Sequence, residues 1–111
     1  MDVTAGKLDR RISFERFTVT DDGYQSVETW AAHGSAVYAS KTDVSDGERM
    51  RAGEVSASLT SRFVVRSSAF SRGLTPKDRI KYKGETFSIY GTKELGRNDY
   101  IEITAGAKVD D

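Results

Sequence analysis

The residues able to carry acid–base or metal chemistry are few in this chain. It has one histidine, His33, and no cysteine. One imidazole without thiolates cannot form a cysteine-based zinc site, and catalysis by it would need an oriented nucleophile or acid close by. The segment from Trp30 to Gly34 resembles the end of a strand, so we predict a structural role for His33. The lack of cysteine also excludes disulfides and thiol catalysis.

The carboxylates are scattered rather than paired. Asp21 and Asp22 stand in a predicted turn, and Asp110 and Asp111 end the sequence. Catalysis by two carboxylates needs a shaped pocket that separates their pKa values. Residues 43–48 share some character with a calcium loop but do not meet its ligand spacing, and the glycines form neither a dinucleotide fingerprint nor a phosphate-binding loop. We therefore expect no enzymatic activity, no metal and no cofactor.

Cations alternate along one predicted strand at Arg79, Lys81 and Lys83. Such a stripe could contact phosphate groups, or it could be the solvated face of an edge strand, where lysines discourage incorrect pairing. The chain has 17 basic and 17 acidic side chains, so it lacks the basic excess of a dedicated nucleic-acid binder. We favour the solvated face. Near-neutral proteins also associate readily, because they lack self-repulsion.

The elements that must position these residues are short strands. Apolar and polar side chains alternate with period two in six or seven segments separated by turns, and no amphipathic helix of three turns is evident. The pattern predicts one all-β domain over residues 1–111, a small antiparallel β-barrel or sandwich of six or seven strands with one long loop and at most one short helix. The predicted core comprises Ile12, Phe14, Val37, Phe63, Val65, Ile80, Tyr82, Phe87, Ile89, Ile101 and Ile103.

Three local features add detail to this pattern. Apolar side chains shift from even positions at Phe14 to odd positions at Phe17, which predicts a β-bulge or a strand buried on both faces. Lys83 and Gly84 predict a hairpin turn. The two ends, residues 1–6 and 105–111, carry few apolar side chains, so we expect both to be mobile unless a partner holds them.

The longest segment without strand periodicity runs from residue 42 to 53. We predict a long loop here, with at most one helical turn that Asp46 could cap. Loops of this length in compact domains are usually functional or disordered. Residues 41–54 carry a formal charge of about −1, from Lys41, Arg49 and Arg51 against Asp43, Asp46, Glu48 and Glu54.

Four segments, taken in their order and spacing, resemble the head closure family of tailed phages, also called head–tail joining or stopper proteins. They are residues 5–12 (AGKLDRRI), 22–30 (DGYQSVETW), 60–66 (TSRFVVR) and 74–89 (LTPKDRIKYKGETFSI). Together they span most of the chain, although no single motif is specific. The family pattern leaves residues 41–54 unmatched, and the family places an aromatic where Ser67 stands here.

The resemblance implies a structural protein of the virion, made in the host bacterial cytoplasm and located at the head–tail junction. It implies a ring, with six subunits expected, that retains packaged DNA and offers a surface for tail attachment. The implied partners are other copies of this chain, the portal-bound adaptor, and a tail terminator or tail tube protein. Double-stranded DNA in the channel would be contacted non-specifically, and no membrane is involved. The same resemblance covers gene transfer agents.

Within such a ring, two sets of residues are candidates for function. A strongly basic loop would bind phosphates tightly and stall DNA exit, so the near-neutral loop is suited to lining or plugging a channel. The alternatives are a solvated loop, or one that grips a neighbouring subunit or the tail. The channel or plug residues are Thr42, Asp43, Val44, Ser45, Asp46, Gly47, Glu48, Arg49, Met50 and Arg51. The assembly residues, at subunit or adaptor contacts, are Gly6, Lys7, Leu8, Arg10 and Arg11.

A second interpretation is a small OB-like barrel that binds single-stranded nucleic acid. Such modules combine a basic groove with exposed aromatic rings on which bases stack. Tyr82, Phe87, Tyr90 and Tyr100 could supply the rings. Tyr82 and Phe87, however, alternate in register with apolar neighbours and are predicted to be core residues.

Overall fold

The computed structural model describes residues 8–21, 23–44 and 58–108. Within these ranges the chain forms seven antiparallel strands and one short helix, which confirms the predicted all-β fold class. The elements are β1 (Arg10–Asp21), β2 (Ser26–Ala32), β3 (Val37–Asp43), β4 (Ser58–Arg66), α1 (Ala69–Arg72), β5 (Asp78–Tyr82), β6 (Glu85–Leu95) and β7 (Tyr100–Lys108).

Six of the strands close into a barrel in the order β1-β3-β4-β7-β6-β5, because β5 pairs back onto β1. β1 is long enough to pair with three strands. Residues Arg10 to Ile12 pair with β3, Ser13 to Arg16 with β5, and Glu15 to Asp21 with β2. The last part of β1 and all of β2 therefore extend beyond the closed barrel as a two-stranded hairpin. We call residues 17–32 the β1–β2 arm.

The barrel interior is filled by the inward positions of each strand. Phe63 and Phe87 meet edge to face, with ring centroids 5.1 Å apart. Every residue of the predicted core lies in the core cluster except Val37, which is partly buried and packs against it. The cluster also includes Ala39, Leu74, Ala105 and Ala107.

The hairpin between β5 and β6 forms as predicted. Lys83 and Gly84 both have positive φ, 51° and 80°, and Tyr82 pairs with Glu85 across the turn. Two central residues in the left-handed region match the right-handed twist of the flanking strands, and glycine enters that region without steric cost.

The apolar shift at Phe17 does not reflect a bulge or a strand buried on both faces, so that expectation is wrong. The pairings of β1 have no register shift. Phe17 lies on the outer face of β1, where Trp30 of β2 packs on it with ring centroids 5.2 Å apart. The register shift among the described pairings lies in β6, between Ile89 and Gly91.

The C-terminal segment is also more ordered than its composition predicted. β7 continues to Lys108, and Ala105 and Ala107 are buried, so the expectation of a mobile end is wrong for residues 105–108. Gly106 is needed between them because the ring of Tyr90 occupies the place that its Cβ would take, while Ala105 and Ala107 lie on the opposite face and join the core cluster. Small residues that admit a neighbouring ring give little apolar signal in a sequence.

Helix α1 lies in the connection between β4 and β5, a segment rich in Ser that also holds one Gly and the one Pro of the sequence. Ser68 begins the helix through a capping box: its hydroxyl accepts from the Ser71 amide at 3.0 Å, and the Ser71 hydroxyl accepts from the Ser68 amide at 2.8 Å. The helix directs Phe70 onto Phe14 and His33, with ring centroids 5.5 and 5.1 Å apart. Helix α1 therefore covers one part of the barrel.

We predict that Ile89→Asp unfolds the domain. Ile89 is buried in β6, and an unpaired carboxylate there costs about 5 kcal/mol, comparable to the whole stability of a small domain. Ser88→Asp is the matched control, because Ser88 is exposed on the opposite face of the same strand. Urea unfolding followed by the fluorescence of Trp30, the one tryptophan, measures both variants. Equal unfolding midpoints for the two variants would show that the face assignment is wrong.

Candidate functional site

The predicted assembly residues lie at the start of β1. Gly6 and Lys7 fall outside the described residues. Leu8 is buried within the subunit rather than available at its surface. Arg10 and Arg11 are exposed: Arg10 donates to the Tyr82 hydroxyl at 3.3 Å, and Arg11 lies over the ring of Tyr38, 5.9 Å from its centroid.

The predicted channel loop starts later than the sequence indicated. Thr42 and Asp43 belong to β3, and the Val44 amide donates to the Thr60 carbonyl at 2.8 Å. The remaining predicted residues, Ser45, Asp46, Gly47, Glu48, Arg49, Met50 and Arg51, lie outside the described residues, as does the proposed helical turn. The structure therefore fixes both ends of the connection, one on β3 and one on β4.

Asp43 is held in place at the end of β3. Its Oδ1 accepts from Lys41 Nζ at 2.6 Å and from the Ser61 hydroxyl at 2.9 Å. These two hydrogen bonds lower the pKa of Asp43 below its ordinary value. Asp43 thus remains ionised at neutral pH and ties the last residues of β3 to β4.

The basic stripe on β5 divides into two parts. Arg79 is not available to a phosphate: it forms an ion pair with Glu15 at 2.6 Å and stacks on Trp30, with its guanidinium carbon 3.8 Å from the ring centroid. Lys81 donates to Thr86, and the Lys83 ammonium lies 5.4 Å from the ring centroid of Tyr82. The sequence could not distinguish Arg79 from its neighbours, because Glu15 and Trp30 reach it only through the fold.

Lys81, Lys83 and Arg11 line one shallow groove of about 360 Å³ on the outer surface. The pairing of Ser13 with Lys81 brings the start of β1 beside β5 and so places the three cations together. We call this surface the basic groove. Among the described residues, none of its three cations forms an ion pair with a carboxylate.

A second groove, of about 420 Å³, lies beneath helix α1. Its lining is mostly apolar and includes Leu8, Phe14, Val37, Tyr38 and Phe70. Leu8, two residues before β1, is buried and lines this groove. The segment before β1 is thus anchored to the barrel by an apolar contact.

The β1–β2 arm is fixed at its base by a buried ion pair. Arg16 donates to Asp78 through Nε at 2.6 Å and through Nη2 at 2.9 Å, while the Asp78 side chain is fully buried. The Thr75 amide also donates to Asp78. Burial alone would raise the pKa of Asp78, but the hydrogen bonds from Arg16 and Thr75 hold that pKa below its ordinary value. This bidentate pair joins the middle of β1 to the start of β5.

His33 is partly buried in the fold, and the described acidic side chains form no metal site. The His33 amide donates to the Phe14 carbonyl at 2.9 Å, and its ring packs on Phe70. Within residues 8–21, 23–44 and 58–108, no group of three or more His, Cys, Asp or Glu side chains could hold a metal ion. In the same ranges no helix has the length and apolar character needed to cross a membrane.

The four rings that could stack on nucleic-acid bases, in the interpretation as an OB-like barrel, do not lie together on the surface. Tyr82 and Phe87 are buried in the core. Tyr90 is half exposed but its hydroxyl end packs against Gly106, and Tyr100 is partly buried. These four rings therefore do not form a row of exposed rings on which successive bases could stack.

Comparisons with known proteins identify similar chains. The sequence model of a family described as phage head completion protein matches residues 3–108. A chain from the virion of a native gene transfer agent particle has 28% identity and a TM-score of 0.69, covering 92% of this chain and 96% of that one. A solution structure of a Shigella flexneri 2a protein has a TM-score of 0.74 at 23% identity, covering 98% and 100% respectively, and supports the fold alone. A search among curated proteins gave no match.

We predict that Asp78→Asn lowers the free energy of unfolding by about 2 kcal/mol at pH 7, because it removes the charge from the buried end of a bidentate pair, while Arg16 is 38% exposed and keeps its contact with water. The folded-state pKa of Asp78 is depressed, so its contribution is complete above the unfolded pKa of about 4 and is lost as pH falls through the folded value. The difference in unfolding free energy between wild type and variant should therefore shrink from pH 6 to pH 2.5, as measured by urea unfolding.

Asp9→Asn is the control for this comparison. The side chain of Asp9 is 71% exposed and pairs with Arg10 at 3.6 Å, so its removal should change stability by less than about 0.5 kcal/mol. A difference between wild type and Asp78→Asn that stays constant with pH would contradict the assigned role of the buried carboxylate.

Proposed function

Because the chain belongs to the phage head completion protein family, we propose that it forms the closure ring between the portal-bound adaptor and the tail. It is a structural protein of the virion head, and it acts with other structural proteins of the particle. The finer assignment is that of a stopper: a hexameric ring that retains packaged DNA and offers the tail its attachment surface. In this role the chain has no enzymatic activity.

The observation that carries this proposal is the extent of the family match. It covers residues 3–108 of 111, so it includes every described strand. The fold supports the same conclusion. A small closed barrel with a projecting arm and a long β3–β4 connection offers several separate contact surfaces, as a subunit between two partners needs.

In the proposed ring, the start of β1 contacts the adaptor or the neighbouring subunit. Arg10 and Arg11 are exposed there, while Leu8 anchors the preceding segment in the groove beneath α1. Lys7 and Gly6 precede this anchor directly in the sequence. In the proposed ring these residues lie at the contact, and the other end of the barrel meets a tail terminator or tail tube protein.

The connection between β3 and β4 is the proposed channel element. Its ends are fixed by the Val44–Thr60 hydrogen bond and by Asp43, and its formal charge is close to neutral. A near-neutral segment can line a DNA channel without binding phosphates so tightly that exit stalls. In the ring, the copies of Val44 to Arg51 narrow the lumen and contact the double-stranded DNA non-specifically.

Shortening this connection should release DNA from heads without preventing ring assembly. Residues Ser45 to Arg51 are replaced by a two-residue Gly-Ser link, while Val44 is retained because its amide bonds to β4. A Gly-Ser replacement of the original length is the control, which separates the effect of length from that of side chains. The readout is the DNA retained in tailless heads after nuclease treatment. Wild-type retention by heads that carry the shortened ring would contradict the channel role.

The isolated chain should be monomeric or weakly associated. Its exposed large apolar side chains among the described residues are spread over the arm, β3 and β6, and they are Val19, Tyr24, Val27, Tyr38 and Tyr90. Permanent interfaces generally need a large apolar area. Analytical ultracentrifugation at micromolar concentration should therefore give a species close to the 12.3 kDa chain mass. A stable hexamer of the free protein would contradict this expectation.

A further inference from the structure

We propose that the acidic outer face of the β1–β2 arm docks into the basic groove of the next copy of this chain. The inference rests on the closure ring proposed above and names the surfaces that hold its subunits together. It is carried by the opposite charges at the two ends of β1. The end of β5 adds cations near the start of β1, and β2 adds a carboxylate near its end.

The basic groove occupies one end of the outer face. Arg11, Lys81 and Lys83 line it, and Tyr38, 56% exposed, lies beside Arg11. The neighbouring cation Arg79 is neutralised by Glu15. Because the three groove cations have no ion-pair partner among the described residues, their positive charge is available to another molecule.

The arm carries the opposite charge. Residues 17–32 contain Asp21, Asp22 and Glu28 but no lysine or arginine. Val19 pairs with Glu28, and Asp21 pairs with Ser26, so the two described carboxylates and Val19 share one face of the arm. Val19 is 57% exposed, which adds an apolar contact to the acidic surface.

These two surfaces lie on the same side of β1 but at its opposite ends. Arg11, Val19 and Asp21 are all odd-numbered positions of a strand without register shifts, so they share its outer face. Ten residues of extended strand separate Arg11 from Asp21, a span of ~33 Å. The acidic arm of one copy therefore cannot neutralise its own basic groove, but it can reach the groove of a second copy.

The arrangement favours a head-to-tail contact over a two-fold one. A two-fold contact of either surface with itself would bring like charges together, which disfavours that pairing. A reciprocal two-fold contact, with each arm in the groove of the other copy, would match the charges but would stop at a dimer and could not form the proposed ring. In the head-to-tail contact each copy supplies one arm and one groove, and contacts of this kind produce closed rings when the rotation closes. The occupant that fits the groove is thus a second copy of this chain.

The arm is also held in position before it binds. The Arg16–Asp78 ion pair fixes its base, and Trp30 is packed between Phe17 and the guanidinium of Arg79. A surface that is ordered in the free subunit loses less conformational entropy on association. This compensates for the small apolar area of the contact.

Cross-linking tests the contact directly, because the chain has no native cysteine. Val19→Cys places a thiol on the arm, and Ser13→Cys places one among the groove cations without removing a charge. Heads assembled with the double variant are treated with a short bismaleimide and analysed on a denaturing gel. The head-to-tail contact predicts a ladder of covalent multimers from the double variant and monomers from each single variant.

Charge reversal provides the specificity control. Reversing the arm with Asp21→Lys and Glu28→Lys should lower the ladder yield about tenfold, as expected when several exposed charge pairs become repulsive. Adding Lys81→Glu and Lys83→Glu to the same chain should restore the yield to within about threefold of the parent, since the charges are again complementary. Such rescue also demonstrates that the reversed chains fold.

The outcomes separate this inference from the proposed function. A ring visible at the junction by electron microscopy, together with the absence of a ladder, would overturn the arm-to-groove contact and leave the closure ring intact. Dimers without higher multimers from the double variant would overturn it in favour of a reciprocal two-fold contact. Dimers from a single-cysteine variant, formed with the same yield as from the double variant, would overturn it in favour of a two-fold contact of one surface with itself. Heads in which the chain is absent from the junction would overturn the closure ring and the contact together.

Discussion

The closure of the barrel between β1 and β5, sealed by the Arg16–Asp78 ion pair, is the constraint on which the rest of the structure depends. The carboxylate of Asp78 has no exposed surface, and a buried charge is tolerated only when it is paired and hydrogen bonded. Arg16 and the Thr75 amide meet that requirement. The pair fixes the position along β1 at which the strand leaves the barrel, and so determines where the arm begins.

The contact between Arg16 and Asp78 divides β1 into two lengths that pack differently. Up to Arg16, β1 supplies inward residues such as Ile12 and Phe14 to the core and pairs with β3 and β5. Beyond it, the strand pairs with β2 alone and carries exposed side chains. The closed barrel leaves few strand edges for unintended pairing, while the arm projects a charged surface away from it. The first length of the strand thereby contributes to the barrel core, and the second lies outside the barrel.

The sequence predicted the parts of this design that depend on local patterns. Ile80 and Tyr82, the Lys83–Gly84 turn, and Phe87 and Ile89 specify their hairpin through alternation and turn chemistry, both of which act over a few residues. The buried ion pair had no such signal, because Arg16 and Asp78 are 62 positions apart. The stretch from Ala105 to Ala107 was missed because small side chains carry little hydrophobic pattern even when they are buried.

For the functional surfaces, the sequence identified the family but not the geometry. The apolar shift at Phe17 predicts a bulge or a strand buried on both faces, because its actual partner, Trp30, lies on another strand and covers it only in the folded arm. The cationic stripe was interpreted as uniform, whereas Glu15 removes Arg79 from it and Arg11 joins it from another strand. In both cases the contact that decides the role of a residue is made by a segment distant in sequence.

Electron cryomicroscopy of particles that contain this chain tests the central claim most directly, because it locates the subunit within the virion. We expect density for the closed six-stranded barrel and its arm, repeated as a ring, between the portal-bound adaptor and the tail. Density for the barrel elsewhere in the particle, or as an isolated subunit without a ring at the junction, would contradict the account.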